Sequence, residues 1–150
     1  MSTAAHTVSP SNRAELLRTV ATDGYEMEVV GPSMLPTISP GSRLRFKSDR
    51  LPRSGELGLF VDEHGSLVVH RLVASFGGRH LFLGDNRVAT DGWIPSEQVV
   101  GRMAGVVAGP VSTALQRNPF GHRLQLIFRA LLSPIRVARD QRWSLRHASQ

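Results

Sequence analysis

"GELGLFVDEHGSLVVHRLVAS", residues 55–75, decides the fold. Two apolar runs, one on each side of "DEHG", are rich in Leu, Val and Phe and are separated by residues that favour turns. Runs of this length and composition meeting at such a turn read as an antiparallel β-hairpin.

The same pattern extends in both directions. Upstream, "YEMEVVG" (25–31) alternates, and "RLRFK" (43–47) follows the turn "SPGS". Downstream, "GGRHLFLGDN" (77–86) reads as a strand entered through a Gly-Gly turn, and "VVGRMAGVVAG" (99–109) closes the set. From Tyr25 to about Ala108 the chain is therefore expected to be a mainly β domain. Before it, residues 1–11 read as disordered. "NRAELLRTVATDG" (12–24) reads as a short helix, with Asn12 as N-cap, Glu15 completing a capping box and Asp23-Gly24 as its stop. Leu16, Leu17 and Val20 are its expected apolar side. The expected organisation is an N-terminal arm and helix (1–23), a β domain (24–109) and a distinct tail (110–150).

Composition narrows the function classes. The 150 residues fit one domain with an appendage, and 41% apolar content is enough for a core. Frequent Gly (14) and Pro (9) suit short strands and turns. The chain has no Cys, which excludes disulfides, thiolate metal sites and a cysteine nucleophile. The net charge of +6 is localised: residues 1–109 carry 11 basic and 11 acidic side chains, and residues 110–150 carry seven Arg and one Asp. A neutral β domain argues against a nucleic-acid-binding core. No run approaches a transmembrane length, and the N-terminus lacks the charged and apolar regions of a secretion signal. In the tail, Leu124, Ile127, Phe128, Leu131, Leu132 and Ile135 fall at helical spacing with Arg between them. This predicts a basic amphipathic helix kinked at Pro134, with residues 123–146 available to an anionic membrane surface, a partner helix or the β domain itself.

Chemistry centres on "VVGPSMLPTISPGSRLRF" (29–46), where Ser33 stands between Pro32 and Met34 at the end of a strand-like run. Such a serine is either an ordinary turn residue or a nucleophile, and a nucleophile needs a base. The single lysine, Lys47, lies among Arg43, Arg45 and Arg50 and reads as solvated. Of the six histidines, His6, His122 and His147 lie in the termini or tail. His64 sits at the hairpin tip and His80 in a later strand. His70, ending "SLVVH", is the best placed to titrate beside a hydroxyl. "LGDNRVATDGWIP" (83–95) offers Asp85 and Asp91 to orient it, although both also suit ordinary turns.

In order, "GPSMLPT" (31–37), "VVHRLV" (68–73) and "LGDNRVATDGWIPSEQVVGRM" (83–103) resemble successive motifs of the signal peptidase I clan of serine peptidases, which also includes the self-cleaving SOS repressors. The resemblance spans roughly residues 25–108. It implies a mainly β fold of coiled antiparallel sheets, with a short N-terminal helix and the C-terminal amphipathic helix added. It also implies a serine endopeptidase that removes a leader or propeptide from a precursor, without metal or cofactor. Ser33 matches the nucleophile. His70 stands where bacterial signal peptidases carry Lys and where the endoplasmic-reticulum and archaeal ones carry His. Asp91 matches the acidic residue downstream of the Gly-Asp-Asn box that orients the base. Gly84, Asp85, Asn86 and Pro36 match loop-structuring positions. Gly31 and the Ser33 N–H match the oxyanion side. Met34 and Leu35 are expected to wall an apolar pocket, implying small residues before the cut.

Two departures qualify the match. "VATDGW" (88–93) is shorter than the bacterial loop and lacks an Arg after Asp91, so Asp85 and Asp91 both remain open as the partner of His70. The family's usual N-terminal membrane anchor is replaced by the polar helix at 12–22. A cytoplasmic enzyme, peripheral to the membrane at most, is expected. Its substrate would be a cytosolic precursor bound in an extended form, such as a metalloenzyme proform or a modified peptide. A non-catalytic peptide-binding module and a self-cleaving regulator are the alternatives. The N-terminal arm is too short to hold the DNA-binding domain of such a regulator.

Overall fold

The computed structural model describes residues 8–110. The first seven residues of the arm and the helix expected in the tail lie outside the described residues. One helix, α1 (Pro10–Ala21), precedes seven strands: β1 (Tyr25–Glu28), β2 (Arg43–Lys47), β3 (Leu57–Val61), β4 (Leu67–Phe76), β5 (Arg79–Leu83), β6 (Trp93–Pro95) and β7 (Val99–Ala108). Short 3-10 turns lie at Pro32–Met34 and Ser96–Gln98. The strands form one curled antiparallel sheet in the order β1-β2-β7-β3-β4-β5-β6. Among the described residues no helix is long and apolar enough to cross a membrane.

The expected hairpin over 55–75 is β3–β4, with Val61 opposite Leu67. Its tip is tied by Asp62, whose Oδ1 accepts the backbone N–H groups of His64 and Ser66. The Gly-Gly turn also forms. Gly77 and Gly78 have φ of 55° and 72°, the left-handed pair that a two-residue hairpin between β4 and β5 requires.

The helix differs from expectation at two points. It begins at Pro10, and its cap is Ser9, whose Oγ accepts the Asn12 N–H at 3.2 Å. Pro10 has no N–H to lose and its φ is already helical, so it fixes the first helical position two residues before Asn12. Residues 10 and 11 are therefore helical rather than disordered. The buried side is also different. Leu16 and Val20 are 66% and 61% exposed, while Ala14 and Ala21 are fully buried and Leu17 is partly buried. Small side chains let the helix lie close on the sheet. Arg18 then fixes its rotation by donating to the carbonyls of Glu97 and Val99 at 2.9 and 3.0 Å.

Two main apolar clusters hold the sheet, beside a small third one of Val73 and Leu83. The larger joins Ala14 and Ala21 of α1 to Met34, Ile38, Leu44, Phe46 and neighbours. The smaller joins Phe60, Leu72, Phe82, Ile94 and Val99, with Phe60 and Phe82 stacked at 4.5 Å. Gly58 lies under this stack, where a Cβ would collide with the Phe82 ring.

Candidate active site

Three segments converge: the turn after β1, the middle of β4 and the loop between β5 and β6. On the first, Ser33 is the second residue of the 3-10 turn Pro32–Met34. On the second, His70 is 2% exposed. On the third, Asp91 is held at the foot of the loop by its own N–H, which donates to the Phe82 carbonyl at 3.1 Å. The Ser33 Oγ lies 3.0 Å from His70 Nε2, and His70 Nδ1 lies 2.5 Å from Asp91 Oδ2. A carboxylate only accepts, so Nδ1 carries the proton that Asp91 receives. That leaves the lone pair on Nε2, and the Ser33 hydroxyl donates to it. The line runs hydroxyl, imidazole, carboxylate, with the base in the tautomer that can take a proton from the serine.

The structure brings Asp91, not Asp85, to His70. Asp85 faces the neighbouring residue, Arg71. Arg71 Nε and a terminal guanidinium nitrogen donate to the two Asp85 oxygens at 2.9 and 2.6 Å. Thr37 Oγ1 donates to Asp85 Oδ2 at 2.5 Å, and Arg71 also reaches the Gly55 carbonyl at 2.7 Å. These groups are buried, and the cluster locks the serine turn, β4 and the β5–β6 loop to one another. Arg71 and Thr37 did not stand out in the sequence. A lone Arg after an apolar run and a Thr after Pro carry no signal until their shared partner is seen.

Asn86 completes the clamp. Its N–H donates to the Ser33 carbonyl at 2.7 Å and its side-chain amide to the Pro32 carbonyl at 3.2 Å. Gly84 is required by crowding: a Cβ there would stand 2.8 Å from the Ser33 carbonyl oxygen and 2.9 Å from His70 Nε2. Pro36 follows a cis peptide bond from Leu35. Met34 departs from expectation. It is fully buried in the larger core cluster and has no surface with which to wall a pocket. Ser33 and Leu35 on either side stay partly exposed, so the Met34 side chain serves as the anchor of the turn. Leu35 remains half-buried. The single lysine, Lys47, ends β2 opposite Arg102 of β7.

Among the described residues, two unpaired strand edges lead to this point. β1 is the outer strand of the sheet. Val29 spends both backbone groups inward, donating to Ser42 and accepting from Gly41. By alternation the backbone groups of Glu28 and Val30 point to the free edge. On β4, pairing with β5 begins only at Arg71, so Leu67–His70 are paired on the β3 side alone. Beyond Asp91 an open cleft of about 490 Å³ is lined by residues that include Val68, Arg87, Thr90 and Trp93.

His80, the other buried histidine, has a structural setting. Its Nε2 meets Ser96 Oγ at 2.9 Å and its Nδ1 meets Ser75 Oγ at 2.8 Å. Ser96 Oγ donates to the Gly78 carbonyl, so it accepts from Nε2–H. Burial holds this imidazole's pKa below its ordinary value, with the Glu97 carboxylate opposing the shift. Among the described residues no cluster of three or more His, Asp or Glu side chains could hold a metal ion. No protein-family model matches the chain, and no curated protein matches it.

Proposed function

We propose that the protein is a serine endopeptidase of the signal peptidase I type, with a Ser-His-Asp site, that removes a leader or propeptide from a precursor. The observation that carries this reading is the Ser33–His70–Asp91 line, with hydrogen-bond contacts at both imidazole nitrogens. An unactivated hydroxyl is a weak nucleophile. A neutral imidazole lone pair 3.0 Å away is the standard remedy.

The substrate lies extended between the free edges of β1 and β4, giving and receiving main-chain hydrogen bonds as an added strand. Its scissile carbonyl sits over Ser33. His70 Nε2 takes the Ser33 proton as Oγ bonds to the carbonyl carbon. The C–N bond then breaks, and the same proton passes to the departing amine. Asp91 holds the Nδ1 proton throughout and stabilises the imidazolium. Water, deprotonated by His70, clears the acyl-enzyme. The Ser33 N–H, which has no partner within its short turn, faces the developing oxyanion. The signal-peptidase fold and a cytoplasmic location, peripheral to the membrane at most, belong to this same proposal.

The test is labelling with a fluorophosphonate, which modifies only an activated serine. Wild-type protein is expected to be labelled at Ser33, and Ser33→Ala and His70→Ala are expected not to be. Labelling that persists in Ser33→Ala, or a wild-type protein that never labels and cleaves no peptide, would overturn the reading.

A further inference from the structure

Gly31 caps the turn Pro32–Met34, a position that favours glycine among other residues but does not require it. Its φ of −92° and ψ of 163° are extended backbone that any residue adopts, including one before proline. A Cβ built there meets nothing within 4 Å. The other described glycines are explained. Eight have φ between 55° and 116°. Gly58, Gly84 and Gly101 are so crowded that a Cβ would come within 3 Å of a neighbour. Gly105 stands beside the register shift where β2 meets β7, a bulge.

Glycine in an extended segment costs conformational entropy and forgoes packing, and where nothing in the fold requires it the close approach of a ligand is a reason to keep it. The position supports that reason. Gly31 lies two residues before Ser33, directly after the edge residues Glu28 and Val30 whose backbone groups face outward. We infer that the space beside Gly31 seats a large side chain of the substrate, from a residue within about three positions of the scissile bond. In an added strand, side chains of directly opposed residues stand about 5 Å apart at Cβ, so a bulky one folds over a glycine opposite it. This inference rests on the peptidase reading and sharpens it. The burial of Met34 removes one of the two walls from which a preference for small residues was expected, and Gly31 opens room for a large one.

The experiment uses the full chain and a degenerate peptide library, with cleavage products read by mass spectrometry. Wild-type protein is expected to favour a large residue at one position near the cut. Gly31→Ala and Gly31→Val are expected to shift that position to Gly, Ala or Ser, and Gly31→Val to lose at least tenfold in cleavage of large-residue peptides. The melting temperature of Gly31→Ala should equal or exceed that of wild type. Gly105→Ala serves as the control and should leave the cleavage profile unchanged. An unchanged profile in Gly31→Val would overturn the inference while leaving the peptidase intact, as would a marked loss of stability in Gly31→Ala. Absence of any cleavage by wild-type protein would overturn both.

Discussion

Ser33–His70–Asp91 and Thr37–Asp85–Arg71 are made from the same parts. Each has a hydroxyl from the turn after β1, a basic side chain from β4 and a carboxylate from the β5–β6 loop. His70 and Arg71 are consecutive, and strand alternation sends them to opposite faces. The difference lies in what stands in the middle and how far the line is closed. In the first, a titratable imidazole separates hydroxyl from carboxylate, and the Asp91 side chain keeps 16% exposure. In the second, the carboxylate is central and accepts from Thr37 and twice from Arg71, and the Arg71 and Asp85 side chains are 8% and 2% exposed. One polar convergence is thus split by a single residue step into a part built on a titratable imidazole and a part that holds the first part still.

That contrast can be broken from either side. The largest effect is expected at the first line: Ser33→Ala or His70→Ala should lower peptide cleavage by about 10⁴- to 10⁶-fold, with thermal unfolding little changed. Asp91→Asn should cost about 10⁴-fold in kcat, because the amide presents a donor to Nδ1 and turns the imidazole to the wrong tautomer. A pH–rate profile of that variant, set against wild type, separates lost tautomer control from lost structure. At the second line the damage should be to folding instead. Asp85→Ala leaves Arg71 buried and unpaired, and denaturant unfolding should register a loss of about 3–5 kcal/mol. The double variant Asp85→Leu, Arg71→Met should regain most of it. If Asp85→Ala instead abolished cleavage at unchanged stability, the division of labour would be wrong.

The smallest expected effect concerns His80, which lies outside both lines. Its folded pKa is depressed by burial, so the folded state binds fewer protons than the unfolded chain. Stability should therefore fall as pH drops through the ordinary histidine range toward the lower folded value. In His80→Gln that portion of the pH dependence should be absent. Unfolding midpoints for both proteins at pH 7.5 and pH 5 would measure it.

The hairpins were legible in the sequence because their turns carry their own chemistry: Asp62 with Gly65, and Gly77 with Gly78. The face of α1 was not. Periodicity gives weight to large apolar residues such as Leu16 and Val20, whereas a helix seated closely on a sheet buries its alanines. Ser33 and His70 stood out through the resemblance of "GPSMLPT" and "VVHRLV" to a peptidase clan's motifs, and the single Lys of the chain independently favoured a histidine base. The resemblance favoured Asp91 over Asp85, but the residues alone could not make the choice. Both are turn residues of one loop, and what separates them is a backbone bond to Phe82 and a buried Arg, neither of which leaves a local trace.

The place of β7 has a consequence for how the molecule is made. It is the last of the described strands and the third in the sheet, joining β1-β2 on one side to β3-β4-β5-β6 on the other. Ser33 follows the first group and His70 belongs to the second. On a ribosome the strands of both groups emerge before residues 99–108, and until that strand inserts no ladder connects them. Such long-range closure is slow compared with hairpin formation. A nascent chain therefore carries Ser33 and His70 on separate pieces, and the ladder that joins those pieces forms only when synthesis has passed the β domain.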